Sequence, residues 1–226
     1  LRGWREALRS WGTPGNTIEQ RQVEMNMKHN ERHAEDAMGK PAGGTIRKLL
    51  TSETDLFRDH LLRLDKESRR MRFAHGVSDG YIERYAQRVP DGGDLCFGLL
   101  VEGEVRAAAE LRQIGYGWGS DAEAAVSVER CFQNTGVGTL LMGRVIRSAR
   151  NRFVKRLYMS CLTENRRMQS IARKYEASLR FEPGEVIGEI VPEAASYFSV
   201  IEEAMEDRVG FMLAVLDLQE RLAKVA

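Results

Sequence analysis

Gln133-Asn134-Thr135-Gly136-Val137-Gly138 combines the residue types that a pyrophosphate group requires of a backbone. Such a group needs several N–H donors aimed at it with no side chain in the way. A glycine-rich turn opening a helix gives that access together with the positive end of the helix dipole. The two glycines allow close approach, Thr139 adds a hydroxyl, and Gln133 can donate a hydrogen bond without carrying charge. Two other phosphate motifs do not fit. A dinucleotide fingerprint beginning at Gly136 needs glycine or alanine where Leu141 stands, and a Walker A loop needs a Gly-Lys-Ser/Thr run that the chain lacks. Taken alone, the hexapeptide is equally a plain turn from strand to helix.

Other reactive side chains form weaker patterns. His29 and His33 are four apart, the spacing of one helix face, but no third ligand accompanies them and no metal site is expected. His60 and His75 have no partner nearby in sequence, and His60 reads as part of a helix face. Cys161, next to Ser160 at the end of a strand, reads as a small buried hydrophobe.

The turn needs a strand before it and a helix after it, and the flanking patterns supply both. Ala122 to Val128 is a strand of small and β-branched residues, and Gly136 to Arg150 is helical with Val137, Leu140, Leu141 and Val145 facing a core. Val154 to Ser160 reads as the next strand and Asn165 to Glu176 as the next helix. Upstream, Thr45 to Leu50 is a short strand, and Thr51 to Lys66 one helix with Leu56, Phe57, His60, Leu61 and Leu64 on a face. A further helix runs from about Ser78 to Arg88. Leu95 to Val101 and Glu104 to Ile114 flank Glu102-Gly103 as a hairpin. Leu179 to Phe181 and Glu185 to Ile190 flank Glu182-Pro183-Gly184 as another. Glu193 to Val225 is helical and amphipathic, with a break expected near Gly210. Strands alternating with helices and hairpins predict a mixed α/β (α+β) fold rather than a doubly wound sheet.

Residues 1–44 read as an N-terminal extension, poorly structured or a short helix, ending in the linker Pro41-Ala42-Gly43-Gly44. The first residue is Leu1 rather than methionine, which points to a fragment, a processed start or a non-standard start codon. Among the 226 residues, 34 lysines and arginines face 33 acidic residues, a balance that argues against a dedicated nucleic-acid binder. Three widely spaced cysteines without a CxxC pair favour a reducing compartment, and the cytoplasm is the expected location. The longest apolar stretch, Phe211 to Leu216, is far short of a bilayer span, and no signal-peptide pattern opens the chain.

Val126-x-Val128 followed by Gln133-x-x-Gly136-x-Gly138 and an apolar helix resembles the cofactor signature of the GNAT acyltransferase superfamily. The strand and the helix-opening Asn165 downstream fit the family's order. The segment Leu64-Asp65-Lys66-Glu67-Ser68-Arg69-Arg70-Met71-Arg72-Phe73 is similar to one in certain bacterial members, some of them protein-lysine acetyltransferase domains. The resemblance covers about Thr45 to Ile190. It implies a mixed sheet splayed between its fourth and fifth strands, flanked by helices, with acetyl-CoA as co-substrate in the gap. The domain would span 45–191, and 192–226 would be a helical extension packed on it or in a homodimer.

On that resemblance, the backbones of Val126 and Val128 pair with the pantetheine arm, and Asn165 contacts the cofactor. The amides of Asn134, Thr135, Gly136, Val137, Gly138 and Thr139 hold the pyrophosphate beside Gln133. Arg144, Arg147, Arg150, Arg152, Lys155 and Arg156 are candidates for the 3′-phosphate, or a solvated face. Ser160 and Cys161 could touch the acyl end. The base that takes the ammonium proton is Glu123 or, second, Glu110. The family's tyrosine general acid is missing, because Ala172 occupies its position and Tyr175 lies about 300° further round the helix. The resemblance therefore implies an N-acetyltransferase acting by direct attack of a primary amine, on a small molecule or a protein lysine. The alternative is an acyl-CoA-binding sensor or interaction module without catalysis. Neither a metal, a nucleic acid nor a membrane is an expected partner.

Overall fold

The computed structural model describes residues 44–225 except Gly92 and Tyr116. The expectations for the N-terminal extension, and for His29 and His33, lie outside them. Among the described residues seven strands form one sheet: β1 (Thr45–Lys48), β2 (Leu95–Val101), β3 (Glu104–Gln113), β4 (Asp121–Val128), β5 (Arg156–Leu162), β6 (Ser178–Glu182) and β7 (Glu185–Ile190), in the order β1-β2-β3-β4-β5-β7-β6. Neighbours are antiparallel except β4 and β5, which run parallel. Both expected hairpins are present, and Glu102 and Gly103 take the positive φ values that a tight two-residue turn demands.

Among the described residues six helices accompany the sheet: α1 (Thr54–Arg63), α2 (Lys66–Phe73), α3 (Asp79–Asp91), α4 (Val137–Asn151), α5 (Arg166–Lys174) and α6 (Tyr197–Val225). One apolar cluster packs Leu141, Met142 and Val145 of α4 on Leu99, Ala107, Ala109 and Leu111. A second, on the opposite face, packs Phe57 and Leu61 of α1 and Ile82 and Ala86 of α3 on Leu100, Val105 and Ala108. Alanines at both faces of β3 let the helices approach closely. A register shift beside Leu99 and Leu100 bends the β2–β3 pair and sets which β3 residues face which layer.

Two expectations are corrected. The helix from Thr51 to Lys66 is instead a 3₁₀ turn (Thr51–Glu53) leading into α1, which stops before Leu64. Asp65 then starts α2, its carboxylate accepting from the amides of Glu67 and Ser68, both at 3.1 Å. That local bond outcompetes continuation of the helix. Second, α6 runs through Gly210 without a break. Gly210 is buried there, and a Cβ would come within 3.3 Å of the Arg47 Cβ, so the glycine permits close helix packing rather than ending the helix. The helix begins at Tyr197 rather than near Glu193, where Ser196 and Ser199 cap it by reciprocal bonds of 3.1 Å.

Among the described residues, no helix is long and apolar enough to cross a membrane.

Candidate functional site

β4 pairs with β5 only from Asp121↔Arg156 to Glu123↔Tyr158. Beyond that point β4 stays with β3 as far as Val128, while β5 stays with β7 as far as Leu162. The two strands therefore diverge, and a cleft of about 570 Å³ opens between them. Val126 and Val128 line one wall, Met168 and Ile171 of α5 the other, and Ser68 and Met71 of α2 lie across it.

The phosphate-type turn sits at one end of this cleft. A 3₁₀ turn (Arg130–Phe132) leads from β4 into it. Asn134 and Gly136 adopt positive φ (63° and 85°), which orients successive peptide N–H groups toward one side. Thr135 Oγ1 donates to the Phe132 carbonyl at 2.7 Å, and Gln133 Nε2 donates to the Val128 carbonyl at 3.0 Å and to Ser68 Oγ at 3.2 Å. Gln133 and Thr135 thus brace the turn. The Thr139 amide is bonded to Gly136 O at 3.0 Å, so Val137 and Gly138 carry the first amides of α4 with no intrahelical acceptor. A Cβ on Gly138 would lie 3.2 Å from Ile171 Cδ1 and 3.6 Å from Val128 Cγ2, within the cleft itself.

Three basic side chains that the sequence reading did not select, Arg130, Arg167 and Lys174, line the same cleft. Arg167 and Lys174 are seven apart on α5, and that helical spacing was the available signal. Arg167 reaches Asn134 Oδ1 at 3.2 Å. By contrast, the arginines read as phosphate partners are committed elsewhere. Arg144 and Arg147 bond Glu206, Arg147 also meets Glu202 at 2.6 Å, and Arg152 meets Glu203 at 2.7 Å, all on α6. Arg150 pairs with Glu193 at 3.7 Å and Arg156 with Asp121 at 2.7 Å. Arg144, Arg147 and Arg152 thus anchor the C-terminal helix.

A second cleft of about 270 Å³ shares Met71, Arg72, Val126, Asn165 and Met168 with the first. Its own walls bring together Phe73, Tyr81, Tyr85, Asp94, Arg112 and Glu123. The Glu123 side chain is 40% exposed and 3.6 Å from Arg112. Glu110 lies deeper, 1% exposed, with one oxygen on Arg72 and the other accepting from the Tyr85 hydroxyl at 2.7 Å. Burial opposes the Arg72 charge, but Glu110 and Tyr85 hold its pKa above the usual value. Burial, with Glu110 beside it, pushes the Tyr85 phenol up, so it remains a donor. Glu110 thus sits behind Arg72, whereas Glu123 faces the cleft.

Asn165 lines both clefts, and its side-chain oxygen caps α5 by accepting from the Met168 amide at 3.1 Å. Tyr175 donates to the Thr139 carbonyl at 2.7 Å and packs on Gly143, which ties α5 to α4. Ala172 is buried. Ser160 and Cys161 line the smaller cleft, where burial, and then Glu185, raises the Cys161 thiol pKa. His60 is not on a plain helix face. It is fully buried, 2.9 Å from Ser127 Oγ and 3.2 Å from Glu129 Oε1. No cluster of metal-ligating side chains occurs among the described residues.

A strand pair that opens beside a glycine-rich turn suits an extended ligand that carries phosphates, and comparison with known proteins gives the family. The acetyltransferase (GNAT) family model matches residues 59–175. The chain belongs to the GNAT acetyltransferase family, whose members use acetyl-CoA, and it is an N-acetyltransferase of that type. Among solved structures, the GNAT domain of S. lividans PAT is 20% identical with a TM-score of 0.57, over 66% of this chain and 90% of that one. A GNAT-family acetyltransferase from Streptococcus pneumoniae is 12% identical with a TM-score of 0.54, over 66% and 99%. A putative acetyltransferase from Salmonella typhimurium, with its cofactor acetyl-CoA, is 14% identical with a TM-score of 0.50, over 69% and 97%. At these identities the likeness concerns the fold.

Proposed function

We propose that the chain transfers an acetyl group from acetyl-CoA to a primary amine by direct attack, with the larger cleft holding acetyl-CoA and the smaller one the amine. The observation that carries this reading is the end of β4–β5 pairing at Glu123 and Tyr158, directly before Val126 and Val128. A free strand edge can hydrogen-bond an extended amide-bearing arm as if it were another strand. Val126 and Val128 supply that edge, and Asn165 lies across from them. The turn from Gln133 through Asn134, Thr135, Gly136, Val137 and Gly138 to Thr139 fits a pyrophosphate, with the Val137 and Gly138 amides as donors. Arg167 and Lys174 add positive charge at that end, while Arg130 beside them is paired with Asp65 at 3.3 Å. Bound there, acetyl-CoA supplies the activated thioester; positioning and proton transfer fall to the protein.

Amine acylation requires loss of the ammonium proton before attack. Glu123 is the carboxylate suited to accept it, because it faces the smaller cleft, while both Glu110 oxygens are engaged. Glu110 then acts on position, fixing Arg72 where the two clefts meet. The aromatic wall of Tyr81, Tyr85 and Phe73, with Asp94 and Glu123, suits an ammonium carried on an alkyl stem. Such a group is a protein lysine or a small-molecule amine. The second reading, acyl-CoA binding without transfer, is favoured by Ala172 at the family's tyrosine position, with the Tyr175 hydroxyl bonded to Thr139 instead.

The catalytic domain in this reading spans 45–191, with the cytoplasm as its place of action. Residues 192–226 form an extension whose exposed Phe198, Met205, Phe211 and Met212 suit a homodimer seam. Incubation with acetyl-CoA and a panel of amines and lysine peptides, following free CoA, tests the function. Transfer gives CoA release with at least one acceptor. Binding of acetyl-CoA with no release for any acceptor supports the second reading, and no binding removes both.

A further inference from the structure

Ser127, His60 and Glu129 form a hydrogen-bonded chain from the larger cleft into the interior. Ser127 lines that cleft, and its Oγ is 2.9 Å from His60 Nε2. His60 Nδ1 is 3.2 Å from Glu129 Oε1. None of the three belongs to the cofactor turn or to the acceptor wall.

Hydrogen-bonding chemistry fixes the direction of the chain. Burial works against the Glu129 charge, but bonds from His60 and Arg63 hold its pKa below the usual carboxylate range, so it only accepts. Nδ1 must therefore carry a proton and donate it to Glu129. Burial also keeps His60 below its ordinary pKa of 6.5, which leaves the ring neutral with a lone pair on Nε2. The Ser127 hydroxyl then donates to Nε2, and its oxygen turns only lone pairs to the cleft. Arg63 of α1 lies 3.0 Å from Glu129 Oε1, and Arg106 of β3 is 3.2 Å from its Oε2. Glu110, also on β3, adds a negative field at His60. A serine alone is a poor proton acceptor. With an imidazole behind it, it passes its own proton inward as another arrives.

We propose that Ser127, backed by His60 and Glu129, carries the second proton of acetyl transfer from the amine nitrogen to the departing sulfur. This rests on the acetyl-transfer reading above. After Glu123 has taken the first proton, the neutral nitrogen bonds to the acetyl carbon as the carbonyl π pair moves to oxygen, and one of its two N–H bonds, now acidic, gives up its proton. Ser127 Oγ accepts that proton while its own moves to His60 Nε2, and Glu129 stabilises the imidazolium. The carbon–sulfur bond breaks with its electron pair on sulfur. His60 then returns a proton to Ser127 Oγ, whose hydroxyl proton goes to the sulfur. The products are an amide and a thiol; serine and imidazole regain their starting states, and the 40% exposed Glu123 releases the first proton to solvent. The relay answers the missing tyrosine acid. Its position is compatible, since Ala125, two residues back on the same face of β4, lines the smaller cleft. That spacing is roughly 7 Å, a gap that a pair of hydrogen-bonded waters spans to carry the proton to and from Ser127 Oγ.

The test is Ser127→Ala in the full chain, after wild-type turnover has been measured; a wild type that releases no CoA would overturn the acetyl-transfer reading, not the relay specifically. The relay predicts a fall in kcat on the order of 100-fold with acetyl-CoA Kd changed less than about threefold, and partial recovery in Ser127→Cys. It also predicts that Ser127→Ala removes the part of the acidic limb of the kcat profile that His60 sets, below the ordinary histidine pKa, and leaves the part set by Glu123. Nitrogen NMR of His60 in the wild type without acetyl-CoA gives a second readout, expected to show a proton on Nδ1 and a lone pair on Nε2 at neutral pH. An unchanged kcat and pH profile in Ser127→Ala overturns the relay, as does a charged ring or a proton on Nε2. Should the alanine variant fail to fold, the NMR tautomer decides.

Discussion

Glu123 and Tyr158 are the last residues of β4 and β5 that face one another as paired neighbours. The sheet opens immediately after the carboxylate to which the account assigns the first proton. One structural event thus creates both the free β4 edge and the junction of the two clefts. The base stands at the vertex of the opening rather than along its length.

Glu123→Gln keeps the size of the side chain and removes its ability to take a proton. Turnover should fall about 100-fold while acetyl-CoA affinity stays within about threefold, because the residue lies outside the larger cleft. Steady-state kinetics with calorimetric titration checks this, and an unaffected rate removes Glu123 as the base.

Gly138→Glu places a carboxylate where the backbone must approach the phosphates, and its Cβ already crowds Ile171 at 3.2 Å. Acetyl-CoA affinity should fall more than about 100-fold, corresponding to about 2.7 kcal/mol. Gly136→Glu should act similarly and also strain a backbone with φ at 85°. Calorimetry showing wild-type affinity in either variant would refute the assignment of the turn.

Glu110→Gln leaves the Arg72 charge buried, with side chains 9% and 2% exposed in the native pair. Breaking one side of such a pair costs about 3 kcal/mol or more. A melting temperature lower by roughly 6–12 °C is expected in a domain of this size. Calorimetric melting reads the shift; no change would mean that Arg72 finds another counter-ion.

His60 makes stability fall in acid through a window that can be named. Its folded pKa lies below the ordinary 6.5 because burial disfavours the charged ring, so the unfolded chain binds the proton first. The stabilisation is complete above about pH 6.5 and is lost as pH falls toward the depressed folded value, at up to about 1.4 kcal/mol per pH unit. The melting temperature of the wild type should drop by several degrees between pH 7 and about pH 5.5. His60→Gln should lose that part of the slope, and an identical slope in both proteins would contradict the burial argument.

The features legible in the sequence were local ones. The Gln133–Gly138 turn, the Glu102-Gly103 hairpin and the helix-opening Asn165 each follow from residue types within a few positions. The features that escaped depend on contacts across the chain. His60 meets Ser127 and Glu129, 67 and 69 positions away, and nothing near His60 signals them. Arg144, Arg147 and Arg152 have their acidic partners on α6 about 50 to 60 positions later, so a structural row looked like a phosphate site. Asp65 is the exception. Its cap could have been read from an aspartate placed three residues before Ser68, but the apolar period running through Leu64 masked it.

The central claim is that the cleft beside Gly138 delivers an acetyl group to an amine. Its most direct measurement follows free CoA and acetylated acceptor together, for wild type and Gly138→Glu, across lysine peptides and small amines. The account predicts equal amounts of CoA and acetylated product from the wild type with at least one acceptor, and neither from the variant. Acetyl-CoA bound by the wild type without release for any acceptor, or equal release by both proteins, would contradict it.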